Sequence, residues 1–437
     1  MKKEIFSIPI TNLKEEVRNR GNRIYPEDAL HYCSPSVGGW GVVRVACLVP
    51  ESVVLFVIPQ GCGRHGAIAS MMHDYNKQLF YLYMSQVDII TGEHMNKIDK
   101  AVESILNKVE KKPKALVLCC TCTDDLLGSD YEGKAKVLEE KFDIDVRIGR
   151  MNPIRKESKR PPELMIQKTI YDYLDEVPNE KKDTINIIGS FNGFAKDCEI
   201  NDILRQAGME DILHIRDFKT YEQYHGMSRS KYNLLIKPGG KMAVKEMKKR
   251  FKIPFADVPV AYRLDGIEEN YMKIEQLLGK SLEYKKYRKA AEEIIRDKVK
   301  TLGRLSVAVG ATANACPFEL ARELVERDFH VPYIFADQLL PSDEVHVDWL
   351  KENAPYITVY STMSPTMAFF LEEKKKVDLA IGFDAGYFCC GSKTVPLSLD
   401  EQLYGYEGTK ILYSRMLEVF ENPQDLKKEM YQSGMVI

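Results

Sequence analysis

Three cysteines stand in turns built from small residues: Cys33 in HYCSPSVGGWG, Cys62 in IPQGCGRHG and Cys122 in CCTCTDDLLGSD. Thiolates are soft donors that select iron–sulfur clusters, zinc or copper(I). Zinc usually takes its ligands in close pairs. Here Cys119 and Cys122 make a single C-x-x-C with no second pair to answer it. Cys33, Cys62 and Cys122 are separated by 29 and 60 positions, so they share a centre only if separate loops converge. That arrangement suits an iron–sulfur cluster better than zinc. Gly61 and Gly63 flank Cys62 and let main-chain N–H groups approach a negatively charged cluster.

The other candidates have plainer readings beside them. Of ten cysteines, six fall in the first third of the chain, and any single buried thiol is commonly apolar filler. Cys47 and Cys198 read as packing. Cys119 and Cys120 read as strand-end core, with an extra-ligand role as the alternative. The vicinal pair Cys389 and Cys390 in GFDAGYFCCG faces a strand end, where it could touch a cluster or substrate. Cys316 precedes Pro317 at a helix start, a position that lowers a thiol pKa, yet it reads as structural. His65 could tune a cluster or move a proton, though a supporting hydrogen bond is the simpler role, and His31 carries the same ambiguity. Nothing nominates His214, His225, His330 or His346.

The bulk numbers bound the partners. The chain has 437 residues, with 62 Lys+Arg against 64 Asp+Glu and a formal net charge of −2. Its 44% hydrophobic and 29% charged residues are ordinary for a globular protein and exclude a disordered one. A balanced charge argues against coating nucleic acid, which needs a basic excess. The longest apolar runs, such as Val53–Pro59, fall far short of the roughly 18 residues of a membrane helix. The N-terminus has no apolar stretch of the kind a secretory signal carries. We therefore expect a cytoplasmic protein with reduced thiols and no nucleic-acid or membrane partner.

The elements that position the thiols repeat one pattern: apolar strand, glycine-bearing turn, helix. Val53–Ile58 leads into PQGCGRHG, Ala115–Leu118 into CCTCTDDLLGSD, Ile185–Ile188 into GSFNGF, Leu234–Ile236 into KPGGK, Leu305–Val309 into GATANACP and Val377–Ile381 into GFDAGYFCCG. Strands alternating with helices require crossover connections and parallel sheets, and ligands in such sheets bind outside the carboxyl ends of the strands. The expected fold is α/β, with three Rossmann-like domains. The divisions are an N-terminal arm (1–30), a first α/β domain with the cysteines (31–160), a second with a helical connection (161–300), and a third with a C-terminal helix (301–437). Met151–Glu163 reads as a basic surface loop. Ile267–Lys300 reads as one long helical tract with Tyr284, Tyr287, Ala291 and Ile294 on one face. GATANA resembles half a dinucleotide-binding turn, but the full G-x-G-x-x-G is missing.

The segments IPQGCGRHG, VDIITGEHMNKIDKAVESI and CCTCTDDLLGSDYEG, in that order, resemble the nitrogenase component 1 superfamily. HYCSPSVGGWG is similar to that family's first cluster-cysteine segment. The likeness continues through DCEINDILRQAGM, YNLLIKPGGKMAVKEMKKRFKIPF, LSVAVGATANACPFELARELVERDFHVPYIFAD and YGYEGTKILYSRM, and covers roughly Tyr32 to Met416.

The resemblance implies that Cys33, Cys62 and Cys122 are the three cysteines with which an α-type subunit holds one side of an interface iron–sulfur centre. That centre would be a [4Fe-4S] cluster or a P-cluster-like [8Fe-7S] one. A homologous β-type subunit, or a second copy of the chain, would complete it. Electrons would come from an ATPase reductase resembling the nitrogenase iron protein and reach a small-molecule substrate. MgATP would act only through that reductase, which agrees with the absence of any G-x-x-x-x-G-K-[ST] here. The departures are equally informative. Where the family anchors its iron–molybdenum cofactor by a cysteine this chain reads IKPGGKM, placing Lys237 or Pro238 there. Where a histidine is expected it reads KTVPLSLDEQLYGYEG, with none. An ammonium cannot replace a thiolate on iron. The expected function is an oxidoreductase subunit not built for dinitrogen with the usual cofactor. A scaffold for assembling a complex iron–sulfur cofactor is the rival, and a cluster-free binding protein the third reading.

Overall fold

A computed structural model describes residues 4–26, 30–34, 41–72, 75–152, 161–175, 181–313, 316–389, 392–398, 403–433 and 435. Its strands, in chain order, are β1 (Ile8–Pro9), β2 (Ser52–Pro59), β3 (Leu79–Met84), β4 (Ala115–Thr121), β5 (Asp145–Met151), β6 (Lys182–Ile188) and β7 (Asp211–Leu213). They continue with β8 (Ser230–Leu235), β9 (Phe255–Asp257), β10 (Ser306–Val309), β11 (His330–Phe335), β12 (Thr358–Tyr360), β13 (Leu379–Ile381) and β14 (Lys393–Val395). Among the described residues they form three sheets, ordered β3-β2-β4-β5, β7-β6-β8-β9 and β1-β12-β11-β10-β13-β14. Every pairing is parallel except that of β1, which runs antiparallel to β12. The N-terminal arm is thus an edge strand of the last sheet.

The same physics builds each sheet. Parallel central strands are covered by helices on both faces and so carry continuous apolar runs. β2 (SVVLFVIP) and β4 (ALVLCCT) are such runs, buried along almost their whole length. Alternate side chains of β2 and β4 enter different cores: Val54, Phe56, Val117 and Cys119 one, Val53, Leu55, Leu118 and Cys120 the other. In each sheet the chain moves outward to one side of its first parallel strand and then returns to the other. This places a reversal of strand order between β2 and β4, between β6 and β8, and between β10 and β13. Such reversals leave a crevice at the carboxyl ends, where crossovers depart in opposite directions.

The helices follow the expected turns, with two corrections. The tract over Ile267–Lys300 is two helices, Leu264–Leu278 and Lys285–Leu302, separated at Gly279, whose φ of 65° takes the chain out of the right-handed helix. Tyr284 and Ala291 are buried and Tyr287 packs against the same core, as the spacing implied, but the next buried position is Ile295, while Ile294 is exposed. Of Met151–Glu163, residues 153–160 lie outside the described residues, and Pro162 already opens the helix Pro162–Thr169. No helix among the described residues is long and apolar enough to cross a membrane.

Candidate functional site

Cys62 and Cys122 stand on either side of the first sheet's reversal. β2 and β4 pair in register as far as Phe56 with Cys119. Three residues further on, β2 ends at Pro59 and enters the turn Gln60–Gly63, while β4 gives way to the helix Cys122–Leu127. Cys62 is exposed and Cys122 partly exposed. The two flanking glycines differ. A Cβ on Gly61 would meet nothing within 4 Å, whereas one on Gly63 would stand 2.7 Å from Ile58 Cδ1 and 3.2 Å from Tyr83 Cε1. Gly61 leaves the main chain beside Cys62 open, whereas a side chain at Gly63 would have to displace Ile58 beneath it.

Cys33 is also exposed, but its segment is tied to the third sheet's side of the molecule. The Tyr32 N–H donates to the Met363 carbonyl at 2.7 Å, and the Tyr32 ring packs against the core around Phe335, Phe370 and Phe388. Among the described residues, no group of three or more His, Cys, Asp and Glu side chains is gathered to hold a metal ion. Two thiols thus follow neighbouring strand ends of the first sheet, while the third lies in a segment held by a different unit. The glycines after Cys33, at positions 38 and 39, lie outside the described residues.

Beneath Cys122 is a polar network that the sequence reading passed over. His94 is buried, its Nε2 3.0 Å from Asp124 Oδ1 and its Nδ1 3.2 Å from the Asp88 carbonyl. The Tyr131 hydroxyl donates to the same Asp124 oxygen at 3.0 Å, and Asp124 Oδ2 accepts the Thr121 N–H at 3.1 Å. Asp125 accepts from Arg150 Nη1 at 2.5 Å and from Asn152 Nδ2 at 2.7 Å, and Arg150 Nη2 also holds Glu132. The short helix that begins at Cys122 is therefore fastened at its first turn from several directions. The signal was present in sequence as two aspartates directly after a cysteine turn, but their partners lie 30 residues upstream and 25 downstream.

Five further thiols are packed in the interior. Cys47, Cys119, Cys120, Cys198 and Cys389 are buried, and burial pushes each thiol up, Cys389 to about 12. Cys316 corrects an expectation: burial overrides the helix start and raises its pKa rather than lowering it, with Glu319 and Asp343 adding to the rise and Lys237 opposing it. Cys390 and the side chain of His65 fall outside what is described. His31 is exposed, edge-on to Tyr25. His214 is buried, with Nε2 3.2 Å from the Ser190 carbonyl, and burial holds it neutral with a pKa near 4. The described part of the GATANA turn, 310–313, is filled from within: Asp384 accepts from the Ala311 N–H at 2.7 Å and the Thr312 hydroxyl at 2.6 Å, so those groups are not open to a phosphate.

Comparison with known proteins agrees with this architecture. The chain is 25% identical over 253 residues to the nitrogenase iron-molybdenum cofactor biosynthesis protein NifE of Clostridium pasteurianum, covering 55% of this chain and 53% of that protein. It is 24% identical over 307 residues to the protein of the same name from Methanosarcina barkeri, covering 61% and 62%. It is 22% identical over 156 residues to the nitrogenase molybdenum-iron protein alpha chain of Methanosarcina barkeri, covering 35% and 29%. The chain therefore spans between about half and three fifths of the two NifE relatives. A solved structure described as nitrogenase Cp1 at pH 6.5 superposes with a TM-score of 0.73 at 17% identity, over 93% of this chain and 96% of that one. The pattern that defines nitrogenase component 1 type oxidoreductases matches residues 38–421, and the chain belongs to that family.

Proposed function

We propose that this chain is a nitrogenase-like oxidoreductase subunit holding one side of an iron–sulfur centre at a subunit interface. It relays low-potential electrons from an ATP-dependent iron-protein-like reductase to a small-molecule substrate in the cleft between its α/β units. The observation that carries this reading is the setting of Cys62 and Cys122. They occupy neighbouring strand ends, Cys62 exposed and Cys122 partly exposed. The segments following β3 and β4 around them expose large apolar side chains, among them Val87, Ile90 at 83%, Leu126 at 79% and Leu127. Apolar surface left in water around potential ligands marks an association site. A homologous β-type subunit or a second copy would cover it and supply the remaining ligands.

The donor set fits such a group: soft thiols at a crevice, with an open main chain at Gly61. Cys33, Cys62 and Cys122 would hold it, and when bound it supplies one-electron transfer at low potential. The chain's own contribution is positional. The His94–Asp124–Tyr131 network fixes the turn that presents Cys122, and the covering partner excludes water, which strengthens every charge interaction inside. Lys237 in the KPGGK turn directs the proposal away from dinitrogen and the iron–molybdenum cofactor. We place the protein in the cytoplasm, with 31–160, 161–300 and 301–437 as its folding units.

A second reading, an assembly scaffold that carries a precursor cluster without turnover, is favoured by the two relatives named as cofactor biosynthesis proteins. Anoxically purified protein tests both. Cys62→Ala and Cys122→Ala should abolish iron retention while Cys47→Ala keeps it. A colourless, iron-free wild-type protein reconstituted with iron and sulfide to no effect overturns both readings. With its cognate reductase and MgATP, sustained consumption of reductant on adding substrate supports the electron relay. Transfer of the cluster to an apoprotein without turnover supports the scaffold.

A further inference from the structure

The N-terminal arm is fastened along the third unit at successive points, and Cys33 follows the last of them. β1 pairs with β12, and the Ile10 N–H donates to the Ile357 carbonyl at 3.0 Å. Ile8, Ile10, Leu13, Val17 and Ile24 are buried in one core with Ile334 and Val359. Further along, the Ile24 N–H donates to the Asp337 carbonyl at 3.0 Å, and the Leu339 N–H donates to the Asn22 carbonyl at 2.8 Å. The Tyr32 N–H then donates to the Met363 carbonyl at 2.7 Å, one residue before Cys33. Cys62 and Cys122 follow strands of the first sheet, and among the described residues the three thiols do not form a group gathered to hold a metal ion. Where Cys33 stands relative to the other two therefore depends on how the third unit grips the residue before it.

That grip runs through one side chain. Met363 lies in the loop after β12, and Asp337 lies just past the end of β11. Asp337 reaches the loop with both carboxylate oxygens. Its Oδ1 accepts the Ser361 hydroxyl at 2.8 Å and the Met363 N–H at 3.2 Å, and its Oδ2 accepts the Thr362 hydroxyl at 2.7 Å. Ser361 and Thr362 are buried, so these hydroxyls would be costly to leave without a partner. Met363 thus takes Asp337 on its N–H and offers its carbonyl to Tyr32. Asp337 holds the arm twice, through its own main chain at Ile24 and, by way of Met363, through its side chain at Tyr32. Residues that orient a metal ligand from behind commonly matter almost as much as the ligand.

We propose that Asp337 is a positioning residue for Cys33, setting where this thiol meets the iron–sulfur centre. The role rests on the reading of Cys33, Cys62 and Cys122 given above and adds to it a residue of the third unit. Asp337→Ala removes all three side-chain bonds, whereas Asp337→Asn keeps an oxygen for the Met363 N–H and serves as the conservative variant. In cluster-free protein, hydrogen exchange at the Tyr32 amide should quicken about tenfold in Asp337→Ala and stay near wild type in Asp337→Asn. The Ile24 amide, which the Asp337 main chain holds, should stay protected in both. Equal loss at Ile24 and Tyr32 would mean that the whole arm has come away, and overturns a specific role. In the full chain reconstituted with iron and sulfide, Asp337→Ala should lose iron to a chelator about threefold to tenfold faster than wild type, with Asp337→Asn restoring retention. Cys33→Ala should lose it faster still, and adding Asp337→Ala to that variant should change nothing further, because the residue acts through that thiol. An unchanged rate in Asp337→Ala, or a double variant whose effects multiply, overturns the proposal. Wild-type protein that takes up no iron overturns the underlying reading and this role together. That outcome is distinct from iron held equally well by wild type and Asp337→Ala, which overturns this role alone.

Discussion

The crevices of the first and third sheets share a topology and differ in what fills them. At the first, the turns after β2 and β4 bring Cys62 and Cys122 to the surface and leave space beside Gly61. At the third, the turns after β10 and β13 are stapled by Asp384, fully buried and bonded to Ala311 and Thr312. A reversal of strand order therefore supplies a place for a ligand, and the residues set at that place decide whether a ligand or the protein itself occupies it.

The largest effect that would break this contrast comes from the third crevice. Asp384→Ala orphans the N–H groups of Ala311 and Thr312 and the Thr312 hydroxyl, and should cost about 3 kcal/mol. The shift of the urea midpoint measures it. An unchanged midpoint would mean that the staple is not structural. No comparable loss is expected from Cys62→Ala, because an exposed side chain with few neighbours contributes little to folding.

The paired glycines sharpen the contrast inside the first crevice. Gly63→Ala drives a methyl into Ile58 and Tyr83, and overpacking of this kind costs roughly 1–3 kcal/mol. Gly61→Ala meets nothing and should leave the thermal midpoint unchanged while lowering iron retention. If both variants lose stability equally, the space beside Cys62 is not reserved for a ligand.

The chain displays its strand–turn–helix order openly, because parallel strands buried on both faces must be continuous apolar runs and glycine marks the tight turns between them. Val53–Ile58 and Leu234–Ile236 are legible for that reason. The candidate thiols are legible for another: a cysteine among glycines has little packing to do. What sequence spacing could not supply was partnership at a distance. His94 and Asp124 meet across 30 residues, and Asp384 reaches Thr312 across 72. Both depend on which strand ends become neighbours, which is fixed by sheet order rather than by local pattern. On Lys285–Leu302 the apolar stripe was legible through Ala291 and missed only at its last member, where the buried residue is Ile295 and Ile294 is exposed.

The smallest expected effect separates the two regions by their buried acids. In the first, Asp88 is held at about 2 by the Lys97 ammonium and the Ser85 N–H and hydroxyl. Its contribution is present at neutral pH and fades only as pH falls from near 4 through about 2. In the third, the helix that begins at Pro317 buries Glu319 and Glu323. Burial raises them to about 7 and about 8, with hydrogen bonds from Tyr262, Arg263, Arg327 and Tyr413 opposing the rise. There the folded chain keeps protons that the unfolded chain has released above about 4.5, so stability falls as pH rises from about 4.5 to about 8 and is level beyond. Glu323→Gln should flatten that slope by an amount on the order of 1 kcal/mol. Hydrogen-exchange protection of the helix Pro317–Glu326, followed at pH 5.5 and 8.5, should show the fall in the wild type and a smaller one in the variant, with the helix Arg64–Met72 unaffected. An equal response in both helices would show that the acids act on the whole fold, and that the third crevice is not the separately closed structure the geometry describes.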